Sequence, residues 1–155
     1  MSEKFFQNKQ AIIILIAASL VVLISMGIRQ TWGLFYGFFE TDLGFSRTQF
    51  GLAIAIQMVL WGSLVPIFGL LSDKFGPRRV VAFSFIIYLI GIYLLLQEPK
   101  TVFGFQISLG VLIGIALGGT AVSVPVSAVG KFFSNKNRTI ATGLVTASAS
   151  IGFFL

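Results

Sequence analysis

Four stretches of 17 to 29 mostly apolar residues follow one another along the chain, separated by short polar loops. They run over 11–39, 49–71, 80–96 and 102–129, and the one charge inside any of them is Arg29. A helix needs about 20 apolar residues to cross the hydrocarbon core of a bilayer. Only helices and closed barrels satisfy every backbone N–H and C=O there. Barrel strands alternate apolar and polar over about ten residues, whereas Ile12-Ile13-Ile14-Leu15-Ile16 and Tyr93-Leu94-Leu95-Leu96 are apolar on every face. The first stretch also outruns the roughly 7–15 apolar residues of a cleaved signal peptide. The pattern predicts an all-α integral membrane protein. Composition agrees: 10% of residues are charged, against about 25% in a soluble domain.

A fifth apolar stretch begins at 139 and is still apolar at 155. Its 17 residues make about 25 Å of helix, short of the roughly 30 Å core. We expect four complete spans and part of a fifth, within a larger protein.

Several function classes drop out. The chain has no cysteine and no histidine, which removes zinc sites of those ligands, disulfide frameworks and His-based nucleophilic catalysis. Its five carboxylates, Glu3, Glu40, Asp42, Asp73 and Glu98, all lie outside the apolar stretches. No enzyme activity, metal or cofactor is expected. Proton coupling through an intramembrane carboxylate of this chain is not supported. The net charge of +6 does not point to nucleic acid, because no basic stripe with interleaved aromatics occurs.

The basic residues instead set a topology. Lys4 and Lys9 precede the first stretch, Lys74, Arg78 and Arg79 follow the second, and Lys131, Lys136 and Arg138 follow the fourth. These three segments share one side and hold eight of the eleven basic residues. The opposite loops hold Arg47 and Lys100, offset by Glu40, Asp42 and Glu98. The positive-inside rule then predicts a cytoplasmic N-terminus in the inner or plasma membrane.

The segment Gly69-Leu70-Leu71-Ser72-Asp73-Lys74-Phe75-Gly76-Pro77-Arg78-Arg79 resembles the signature between the second and third helices of the major facilitator superfamily. Gly69, Asp73, Lys74, Gly76, Arg78 and Arg79 match its six specified positions. The resemblance implies a bundle of six helices, of which this chain supplies the N-terminal part, and a missing C-terminal half as partner. It also implies that this loop is a conformational latch between halves, with Asp73 and Arg78 its central charges. Gly118-Gly119-Thr120 through Pro125, Lys131-Phe132-Phe133, and Arg138-Thr139-Ile140-Ala141-Thr142-Gly143 are similar to the monocarboxylate and oxalate/formate branch. Gly27-Ile28-Arg29 with Trp32-Gly33-Leu34-Phe35 resembles that branch's first helix. The Arg and Gln-Gly of the drug/proton antiporters do not occur between Ser108 and Gly119.

A buried charge at mid-membrane costs about 2.5–3.5 kcal/mol or more on insertion scales. Arg29 therefore faces either a wet cavity, where its fork would bind a carboxylate, or the outer surface, to which it would snorkel. From the midpoint of 11–39 it lies roughly 6 Å outward; from Ala11 it lies about 27 Å in. Gln57 reaches a similar depth on the antiparallel second stretch. It either shares a polar site with Arg29 or makes a helix–helix hydrogen bond. Trp32, Gly33 and Tyr36 follow Arg29 at helical spacing, as a cavity wall or an interfacial belt. Gly110, Gly114 and Gly118 form a close-packing ridge. Thr120 and Ser123, just before the helix-breaking Pro125, are further candidates for the path. The third stretch is expected to be lipid-facing scaffold.

The expected function is secondary transport of a small organic anion, a mono- or dicarboxylate, by alternating access across the lipid bilayer. A neutral-solute or drug carrier of the same superfamily is the alternative, as is a truncated module that packs on a partner without transporting.

Overall fold

The computed structural model describes residues 9–97, 101–133 and 135–154, without the side chains of residues 135 and 136. Lys4, Glu3, Glu98, Lys100 and the side chain of Lys136 thus lie outside the described residues. Helix α1 spans Lys9–Thr31, α2 Tyr36–Thr41, α3 Arg47–Phe75 and α4 Pro77–Leu96. The fourth apolar stretch comprises α5 (Val102–Phe105), a π-helical segment (Gln106–Leu112), α6 (Ile113–Thr120) and α7 (Ser123–Gly130), and α8 spans Asn135–Phe154. Among the described residues there is no strand. Lys9–Thr31, Arg47–Phe75, Pro77–Leu96 and Val102–Gly130 are each long and apolar enough to cross a membrane.

The first apolar stretch, continuous by composition from 11 to 39, is two helices. Leu34 and Phe35 both donate their backbone N–H to the Thr31 carbonyl, closing a turn after α1. Thr31 and Gly33 are poor helix formers, and the turn lets α2 run separately. Helix α3 starts at a capping box: the Ser46 side chain accepts from Gln49 N, and the Gln49 side chain accepts from Ser46 N. Such a box satisfies two of the N–H groups that a helix start leaves open.

The chain divides into two compact units, one of residues 31–119 and one of residues up to 30 and from 120 onward. In the 31–119 unit, α3 and α4 pack on the π-helical segment. A Cβ at Gly110 would lie 3.0 Å from the Ala53 carbonyl, and one at Gly114 3.0 Å from the Cα and carbonyl of Gln57. The glycine ridge thus lies against α3, and the gain is close van der Waals contact. Helix α4 buries Val80, Ser84, Tyr88, Gly91 and Leu95 and exposes Phe83, Ile86, Leu89, Ile90 and Tyr93. The face that α4 turns away from the unit is thus apolar.

At the α2 end, Phe39, Phe45, Phe50 and Phe105 close the unit. The rings of Phe45 and Phe105 stack at 4.6 Å and those of Phe39 and Phe105 meet at 5.1 Å. In the other unit α8 crosses α1 at two glycines: a Cβ at Gly27 would lie 3.2 Å from the Gly152 carbonyl.

Two backbone irregularities mark the fourth stretch. The Ser108 hydroxyl donates to the Gly104 carbonyl at 2.8 Å. Around it the helix widens to the π form over Gln106–Leu112. The helix is then interrupted at Ala121 and Val122, because Pro125 has no N–H for the Ala121 carbonyl and its ring clashes with it. Pro125 itself sits in the first turn of α7, where its missing N–H costs nothing.

Candidate functional site

Arg29 lies in the last turn of α1 and is half-buried. The end of α1 at Thr31 makes the reckoning from the start of the stretch the relevant one. About 30 Å of helical rise separates Lys9 from Arg29, which is the thickness of the hydrocarbon core. Arg29 therefore sits toward the end of its span opposite Lys9, where a cation also complements the helix dipole. One turn earlier, the buried Ser25 hydroxyl lies 3.2 Å from the Val22 carbonyl and 3.3 Å from the Thr120 carbonyl. Thr120 is thereby brought against α1, about 6 Å of rise from Arg29. Its side chain is buried, whereas Ser123, the first residue of α7, is exposed. Composition does not single out Ser25; its hydroxyl in an apolar helix is the one available signal.

Trp32 and Tyr36 do not continue the helix of Arg29, because the turn after Thr31 intervenes. Trp32 is buried, and its Nε1 has no hydrogen-bond partner among the described residues. The Tyr36 hydroxyl accepts from Arg47 Nε at 3.1 Å, and the Arg47 guanidinium lies 5.5 Å from the ring centre. Desolvation and a hydrogen bond to Glu40 raise the Tyr36 pKa above its ordinary 10.0, so it stays a phenol at neutral pH. Tyr36 and Arg47 close a polar corner with Phe50, whereas the sequence marks Arg47 only as a loop charge.

Gln57 is fully buried, and its Nε2 donates to the Leu109 carbonyl at 3.0 Å. Of the two readings of this residue, the helix–helix hydrogen bond is the one observed. Arg29 and Gln57 belong to different units.

The charged motif is not a loop. Gly69 through Phe75 form the end of α3, Gly76 alone is the joint, and Pro77, Arg78 and Arg79 begin α4. Gly76 has φ 86° and ψ 143°, and its N–H donates to the Ser72 carbonyl at 3.0 Å. Leaving a helix here takes a positive φ, while the residue before proline is pushed to extended ψ. Only glycine holds that combination without strain, which is of order 1–3 kcal/mol for other residues. Asp73, Lys74, Arg78 and Arg79 are all exposed, and the Lys74 ammonium lies 5.3 Å from the Phe75 ring centre. A Cβ at Gly69 would meet nothing within 4 Å, so no helix packs closely on that glycine among the described residues.

No group of three or more metal-ligating side chains occurs among the described residues. Residues 14–155 match the family described as Major Facilitator Superfamily. A probable nitrate transporter, NarT, of Staphylococcus epidermidis is 34% identical over 107 residues, covering 69% of this chain and 27% of that protein. Its namesake in Staphylococcus aureus strain JH9 is 30% identical over 107 residues, covering 69% of this chain and 26% of that protein. An agnestins efflux protein, AgnL12, of Paecilomyces divaricatus is 21% identical over 145 residues, 92% of this chain and 33% of that protein. The chain thus spans between a quarter and a third of the length of these curated relatives.

Proposed function

The chain belongs to the major facilitator superfamily, and on that premise we propose that this integral membrane protein contributes part of the N-terminal bundle of a secondary transporter for a small anion. The observation that carries the reading is Arg29, a cation held half-buried in the last turn of an apolar helix whose one other charge is Lys9 at its first residue. A guanidinium binds planar, delocalised oxygens through paired N–H donors. Carboxylates have that shape, as the similarity to the monocarboxylate and oxalate/formate branch implies, and so does nitrate, the substrate in the name of the two staphylococcal relatives. Arg29 recruits the anion at the outer end of its span, with Thr120 and Ser123 further along the path. Trp32 and Tyr36, which come next in the chain, are further aromatic candidates for the substrate pathway. The Asp73–Arg79 joint serves as the latch.

The test is uptake by the whole protein in proteoliposomes, with formate, oxalate, lactate and nitrate supplied singly. We expect saturable uptake of at least one anion, and the set that competes distinguishes carboxylate from nitrate carriers. Uptake of neutral solutes alone would overturn the reading.

The orientation proposed places the Asp73–Arg79 joint in the cytoplasm, supported by the eight-to-two distribution of loop charges. Thr48 and Arg79 are both exposed. An impermeant thiol reagent added to intact cells should label a cysteine replacing Thr48 and spare one replacing Arg79. The opposite pattern would invert the topology.

A further inference from the structure

Gln57 is a buried polar side chain whose observed partner is a backbone carbonyl of another helix. It is fully buried, it reaches 52 residues along the chain to the Leu109 carbonyl, and its own Oε1 has no hydrogen-bond partner among the described residues. Leu109 offers only an acceptor, so the amide nitrogen must face it, and the orientation of the carboxamide is set by chemistry. A half-satisfied buried amide is worse for packing than an apolar side chain of the same size. Mere space-filling therefore does not account for a glutamine here.

Its partner does. Leu109 is inside the π-helical segment Gln106–Leu112, a rare conformation that tends to occur at functional positions. Such a widened turn shifts the backbone ladder and leaves a carbonyl to be satisfied from outside. The same stretch places Gly110 and Gly114 within 3.0 Å of α3 at their would-be Cβ positions. One residue of register change in the fourth stretch rotates the helix beyond it by about 100°, which would carry Gly114 and Gly118 off α3.

We propose that Gln57 is a positioning residue: by holding the Leu109 carbonyl it keeps the wide turn open and sets the register in which the glycine ridge of the fourth span seats on α3 during transport. This rests on the transporter reading for its functional consequence, though not for the clasp itself.

Gln57→Met keeps the volume and removes the donor. In the whole protein in proteoliposomes it should insert normally and lose tenfold or more in transport rate. Gln57→Glu supplies a discriminating readout. Protonated, the new carboxyl donates to Leu109; ionised, it only accepts and is repelled. Its rate relative to wild type at each pH should therefore fall as pH rises. The elements packed against this part of α3 bring one titratable side chain inward, Tyr88 of α4, and no charged one among the described residues. Hydrogen exchange across residues 106–114 in nanodiscs should be faster in Gln57→Met than in wild type.

A Gln57→Met variant that transports like wild type would overturn the proposal, as would unchanged exchange in that variant. If Gln57→Met does not accumulate, the Gln57→Glu profile decides, and a ratio to wild type that is flat with pH would overturn it. A wild-type protein that moves no anion would defeat the transporter reading instead, while the exchange measurement still decides the clasp.

Discussion

Arg29→Gln in the whole protein should weaken binding of the transported anion by at least tenfold. One charge-assisted hydrogen bond is worth about 1.5–3 kcal/mol, and about 1.4 kcal/mol is a factor of ten. Arg29→Lys should recover part of the loss, because lysine keeps the charge and gives up the planar fork. Expression of both variants should be close to wild type, since position 29 is half-buried in the last turn of α1 and either long side chain can reach the interface. The measurement is equilibrium binding of formate, oxalate and nitrate to purified protein. Equal affinities for wild type and Arg29→Gln would remove Arg29 from the anion site and make it an anchor at the outer end of the span.

The second large effect is on rate. Asp73→Asn should reduce transport at least tenfold while changing equilibrium binding less than twofold. Asp73 is exposed in the last turn of α3, the end of a helix where a negative charge is unfavourable. Its place beside Gly76 puts it at the joint between two spans, and a latch that must open and close acts on the conformational step. Counterflow rates and binding constants measured on the same preparation separate the two. Normal turnover in a properly inserted Asp73→Asn variant would count against the latch.

These two residues show how unevenly the chain discloses itself. Asp73 and its companions are legible as a motif because spacing alone carries the resemblance. The reason the spacing works, a single-residue joint that needs positive φ before a proline, is visible only in the backbone of Gly76. Arg29 is legible as an intramembrane charge, yet its depth depends on where α1 ends. Composition runs unbroken to Phe39, and the turn after Thr31 is what moves Arg29 toward the end of its span. The apparent helical spacing of Trp32 and Tyr36 disappears at the same turn.

Hydrophobicity is a property that each residue carries by itself, so its sum over about twenty positions already determines that the helices α1, α3 and α4 and the stretch Val102–Gly130 belong in a bilayer. The distribution of lysine and arginine is equally local, and it determines the expected sidedness. Partner choice is not local. Which group Gln57 bonds depended on which backbone carbonyl came within reach, and packing brings the Leu109 carbonyl of the π-helical segment there. Ser25 on Thr120 and Gly114 on Gln57 are likewise contacts between distant segments. Tertiary structure decided them because a buried donor must find an acceptor wherever the packing leaves one, and no pattern along the chain records where that is.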